Sequence, residues 1–189
     1  MGIVRHAVMG FTAALALTLG GISGVRAEVS QAVLDAIASG NATAINAALA
    51  SASPADAKTI ADALVATGNA TAIAAVAVAA ANSGSQSSAS VALSAAIAAA
   101  PTSLVQSIFT AVAATPGASP TTVAAIALAV TLDNPSSTAL AAAVKTGAAA
   151  GGVTLTIAAT TSQGVTTITV QAATLPNPNQ VATQQGTTA

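Results

Sequence analysis

From Glu28 to about Gly152 the chain is broken at short, regular intervals by Gly, Pro or Asn. The breaks fall at Gly40-Asn41, Ser53-Pro54, Gly68-Asn69, Asn82-Ser83-Gly84, Ala100-Pro101-Thr102, Thr115-Pro116-Gly117, Asp133-Asn134-Pro135 and Thr146-Gly147. Such intervals hold about three helical turns and a connection. The longest apolar run after residue 27, Ala72 to Ala81, is ten residues, short of the about 20 that a membrane-spanning helix needs.

The segments between breaks read as helices. Apolar residues recur at helical spacing, as in Val29, Val33 and Ile37, in Leu104, Val105, Ile108 and Val112, and in Val123, Ile126 and Val130. The predicted spans are 28–39, 42–52, 55–67, 70–82, 88–99, 102–114, 120–132 and 136–147. The breaks also carry capping chemistry. Ser53-Pro54-Ala55-Asp56 places a hydroxyl, then Pro at the first helical position, then an acid in the first turn. Ser119-Pro120 and Asn134-Pro135 repeat the order of cap and Pro, and Thr146-Gly147 is expected to end the last helix.

The motif GNATAI occurs twice, at Gly40–Ile45 and Gly68–Ile73. Gly suits the left-handed residue that closes a helix, and Asn41 or Thr43, and Asn69 or Thr71, can cap the next one. We read the motif as the joint of a repeated helical hairpin. The same residues match the Asn-X-Thr pattern of glycosylation, at Asn41 and Asn69, the functional alternative to the joint. Eight short helices in four hairpins, with a period of roughly 30 residues, predict an alanine-rich α-solenoid, with an orthogonal helical bundle as the alternative.

The pattern changes at Gly151-Gly152. Val153, Leu155 and Ile157 alternate with Thr154 and Thr156; beyond Ser162-Gln163-Gly164, Ile168 and Val170 alternate with Thr167 and Thr169. Period two with β-branched residues predicts a β-hairpin over 151–174. A lone hairpin is marginal in water, so it must pack on the helices or pair with another chain. The polar, Pro-containing end, 175–189, is expected to be a flexible tail.

Residues 1–27 have the layout of a secretory signal peptide. Arg5 and His6 precede an apolar stretch from Ala7 to Leu19, and Val25-Arg26-Ala27 places small residues before Glu28. Cleavage after Ala27 leaves a chain without His, Cys, Arg, Met, Trp or Tyr. Its charges are Glu28, Asp35, Asp56, Asp62 and Asp133 against Lys58 and Lys145, a net charge of −3. Nucleic-acid binding needs cations and stacking aromatics that are nearly absent here. Transition metals have no imidazole or thiolate to bind, and no cofactor is expected.

Few groups remain that could do chemistry. Lys58 and Asp62 stand four apart, with Asp56 before them, and read as a surface ion pair and a first-turn acid. Asp133-Asn134 offers one acid beside a Pro cap, too little for a calcium site, and reads as structural, and Phe109 is expected to anchor the core. The Thr-rich hairpin could present a surface to ice or a polysaccharide. The expectation is an exported, non-catalytic structural protein that self-associates into a filament, sheath or surface layer through its solenoid ends and hairpin. The alternative is a monomeric periplasmic or extracellular module that binds a peptide, glycan or ice on the helical concave face or the Thr-rich hairpin.

Overall fold

The computed structural model describes residues 29–83, 88–162 and 165–174. The expected signal peptide, residues 1–27, and the expected tail, 175–189, lie outside these residues. The elements are α1 (Gln31–Ser39), α2 (Ala42–Ser51), α3 (Pro54–Ala66), α4 (Ala70–Asn82), α5 (Ser88–Ala98), α6 (Thr102–Ala114), α7 (Pro120–Leu132), α8 (Thr138–Ala150), β1 (Val153–Ser162) and β2 (Val165–Thr174).

Local chemistry explains the boundaries. Gly40 adopts φ 67°, and the N–H groups of Gly40 and Asn41 return to the carbonyls of Ile37 and Ala36. This paired closure needs a left-handed residue, which Gly supplies without a Cβ penalty. Asn41 then accepts a hydrogen bond from the Ala44 N–H at 3.1 Å and so opens α2. One residue thus closes a helix with its backbone and starts the next with its side chain. Asn69 repeats the cap on the Ala72 N–H at 3.1 Å. Asn, not Thr, is the cap in both copies of GNATAI. Ser53 and Ser119 cap α3 and α7 as expected.

Two expectations are corrected. Asn134-Pro135 does not open α8; Ser137 does, accepting from the Leu140 N–H at 3.1 Å, and Pro135 lies in the preceding turn. Nor does Gly147 end α8, which runs on to Ala150. Gly147 is a buried packing residue: a Cβ there would meet the Gln106 carbonyl oxygen at 2.3 Å. The connection from helix to strand is Gly151 and Gly152.

The helices stack in two rows. α1, α3, α5 and α7 follow one another in one row, and α2, α4, α6 and α8 in the other. Neighbours two apart in sequence are neighbours in space, which is the solenoid arrangement. The GNATAI joints stack too: a Cβ on Gly40 would lie 3.4 Å from Asn69 Nδ2 and 3.6 Å from Ala72 Cβ. Between the rows runs one continuous core, including Ile45, Leu49, Leu64, Ile73, Val76, Ile97, Phe109, Val123 and Val130. Helix α4 contacts helices of both rows and is apolar nearly all round, as a surrounded helix must be. Among the described residues the buried polar side chains are Ser94 and Thr131. Their hydroxyls return to carbonyls of their own helices, those of Val91 and Ala127.

Small residues set the tightest contact. Gly147 and Gly151, one helical turn apart at the end of α8, face Gln106, Thr110 and Ala113 of α6. The Thr110 hydroxyl donates to the Gly147 carbonyl at 3.1 Å across this approach. At the C-terminal end of α4, Asn82 donates to the Gly117 carbonyl at 3.2 Å and accepts from the Thr122 hydroxyl at 3.1 Å. It ties α4 to the start of α7.

Candidate functional site

The most distinctive surface lies at the C-terminal end of the two rows. β1 and β2 pair antiparallel in unbroken register from Val153↔Thr174 to Ser162↔Val165, with no bulge. β2 lies against α7 and β1 against α8, so each strand continues one helical row. Val153 and Leu155 are buried in the helical core, and Ile157, Val170 and Ala172 pack partly against it. The hairpin therefore packs on its own chain, one of the two possibilities the sequence left open.

The opposite face is exposed. It carries Thr154, Thr156 and Ala158 from β1 with Thr169, Gln171 and Ala173 from β2. Register places Thr154 beside Ala173, Thr156 beside Gln171 and Thr169 beside Ala158. At these three pairs no Thr stands opposite another Thr.

The edges are more unusual than the face. The sheet has two strands, so both are edge strands, each 10 residues long. Among the described residues, no backbone hydrogen bond reaches the outer edge of either strand. Folded proteins blunt such edges with Lys, Pro or bulges. Here no charged residue follows Lys145, and no Pro lies between Pro135 and Pro176. Among the described residues, each edge is a row of main-chain donors and acceptors without a charge, a Pro or a bulge to guard it.

The remaining candidates fall to structural roles. Lys58 Nζ sits 2.6 Å from Asp62 Oδ2, with both side chains more than half exposed, an ion pair worth a few tenths of a kcal/mol. The Ser53 hydroxyl donates to Asp56 at 2.7 Å, while the Asp56 N–H donates back to that hydroxyl, so Asp56 belongs to the cap of α3. Asp133 is exposed at the end of α7, and among the described residues no three acidic, His or Cys side chains cluster to hold a metal. Phe109 is fully buried, as expected. Asn41 and Asn69 are exposed, with their side-chain oxygens engaged as caps.

A concavity of about 200 Å³ opens between α4, α5 and α7, lined by Ala77, Ala80, Val91, Leu93, Ile126 and Ala129. Val91 is half exposed at its rim. The sequence offered no signal for it, because it arises from small residues on three separate helices. Among the described residues no helix is long and apolar enough to cross a membrane. No family model, no curated protein and no solved structure matches this chain.

Proposed function

We propose that this chain is an exported, non-catalytic structural subunit that assembles with copies of itself through the edges of its C-terminal hairpin. One observation carries the reading: two ten-residue edge strands, unguarded by charge, Pro or bulge, seated on the end of a helical body. A strand edge of this kind recruits another strand through main-chain hydrogen bonds. The low charge of the exported chain, −3, gives little repulsion between copies. The leader layout of residues 1–27 supports export. The residue inventory supports a role without catalysis, since His and Arg leave with the leader and Cys is absent throughout.

The test is the size of the chain Glu28–Ala189, measured by light scattering across concentration. Thr156→Lys with Thr169→Lys is the control variant, because both residues point outward and leave the buried face intact. Concentration-dependent growth in the wild type, lost in the double variant, supports the reading. A monomer at every concentration removes it.

The cleft between α4, α5 and α7 favours a second reading, a monomeric binding module for a small apolar ligand. At about 200 Å³ it falls below the roughly 300–1,000 Å³ usual for ligand pockets. Saturable binding by a non-assembling chain would support it.

A further inference from the structure

Capping explains Asn41 and Asn69 but leaves Thr43 and Thr71 without a part. Each Thr stands two places after its Asn, exposed in the first turn of α2 or α4. Among the described residues no hydrogen bond engages either hydroxyl. Ala is the better helix former and would serve both positions. Of all the Asn residues in the chain, these two alone are followed by a residue other than Pro and then by Ser or Thr; Asn134 is followed by Pro135. That is the acceptor pattern for an N-linked sugar.

The geometry leaves the reacting atom free. In both copies Oδ1 makes the cap, accepting from the Ala44 or Ala72 N–H at 3.1 Å. The sugar bonds to Nδ2, the other end of the amide, and among the described residues neither Nδ2 is hydrogen-bonded. A glycosylated amide keeps its carbonyl oxygen, so cap and sugar coexist on one side chain. Both Asn residues are exposed and sit just outside their helices in nearly the same conformation, φ −73°, ψ 87° at Asn41 and φ −77°, ψ 86° at Asn69. A Cβ on Gly40 would lie 3.4 Å from the Asn69 Nδ2. Gly40 has no Cβ, and the space this leaves adjoins the atom that takes the sugar.

The joints stack, so the two acceptors follow one another on the first two helical hairpins, while the β-hairpin lies beyond the fourth. Terminal repeats of a solenoid need a polar outer surface. The first repeat here exposes Leu34, and its second helix, α2, carries no charge. Sugars are bulky and solubilising. On Asn41 and Asn69 they supply polarity at the end of the body opposite the β-hairpin.

Resting on the export proposed above, we infer that Asn41 and Asn69 are N-glycosylation sites, each taking an oligosaccharide from a polyprenyl-diphosphate donor in a secretory lumen. The bond from Nδ2 to the anomeric carbon of the sugar forms as the bond from that carbon to the diphosphate oxygen breaks. The amide loses one proton, and the polyprenyl diphosphate leaves. Transfer acts on the entering chain, and the folded joint accommodates the product.

The experiment expresses Met1–Ala189 in a eukaryotic secreting cell. The secreted chain is mapped by mass spectrometry before and after an amidase that releases N-linked sugar and converts the sugared Asn to Asp. Conversion is expected at both Asn41 and Asn69. Thr43→Ala and Thr71→Ala are each expected to abolish conversion at their own Asn alone, and Thr43→Ser and Thr71→Ser to retain it. All four variants leave the Oδ1 caps in place. Circular dichroism is expected to give the same helical signal with the sugars on and off. A secreted chain with either Asn bare overturns the paired sites, and so does a sugared chain that has lost its helical signal; both leave export standing. A chain retained inside the cell with its leader uncleaved removes the export reading and this one with it.

Discussion

Gly147 of α8 stands so close to Gln106 of α6 that a Cβ on the glycine would lie 2.3 Å from the Gln106 carbonyl oxygen and 2.8 Å from the Phe109 Cβ. The first of these is backbone and cannot swing aside. Gly147→Ala adds helix propensity, worth about 1 kcal/mol, yet must force two helices apart. The net expectation is a loss of about 1–3 kcal/mol, read as a lowered urea midpoint. Ala148→Gly, which removes a buried methyl without a clash, is expected to cost about 1–2 kcal/mol through cavity and propensity.

Phe109 fills the core beneath that contact and is fully buried. Phe109→Ala is expected to cost about 3–5 kcal/mol. In an alanine-rich core few large neighbours can relax into the space. Thermal unfolding followed by circular dichroism measures it.

Asn41 and Asn69 do the same work at successive joints. Replacing either with Ala removes one cap and should cost about 1 kcal/mol. Asn69 also lies against Gly40, so its loss should be felt at both joints. Amide exchange at Ala44 and Ala72 separates the cases: Asn41→Ala exposes Ala44 alone, and Asn69→Ala exposes Ala72.

Leu155 anchors the hairpin, buried where β1 meets α8. Leu155→Ala is expected to cost about 2–4 kcal/mol and to loosen the strands before the helices. Assembly should weaken in parallel, because an edge that is not held presents no fixed row of donors. Proteolysis between Gly151 and Thr174 under native conditions reports the loosening.

Much of the fold was legible because alanine-rich helices leave their boundaries to Gly, Pro, Ser and Asn, whose capping chemistry is local. Asn41, Ser53, Asn69 and Ser119 sit where that chemistry places them. Gly147 misled because a glycine near a helix end has two physical uses, closure and close approach. Only the partner helix α6, distant in the chain, decides between them. The one-turn spacing of Gly147 and Gly151 was the available hint. Asn134-Pro135 misled because Ser137 offered a second cap just beyond it. Asn82 reaches Gly117 and Thr122 from another helix, a contact without local signature. The hairpin was legible from its period of two, but its seat on α7 and α8 was not, since an apolar strand face fits many partners.

Amide hydrogen exchange of the chain Glu28–Ala189 at low and high protein concentration tests edge-to-edge assembly most directly. The outward amides of β1 and β2, about half of those in each strand, exchange freely in a lone hairpin. If copies add through the strand edges, these amides become protected as concentration rises, while the amides of α1–α8 keep their rates. Protection that never changes in the hairpin, or that is gained at α1 and α2 instead, would contradict it.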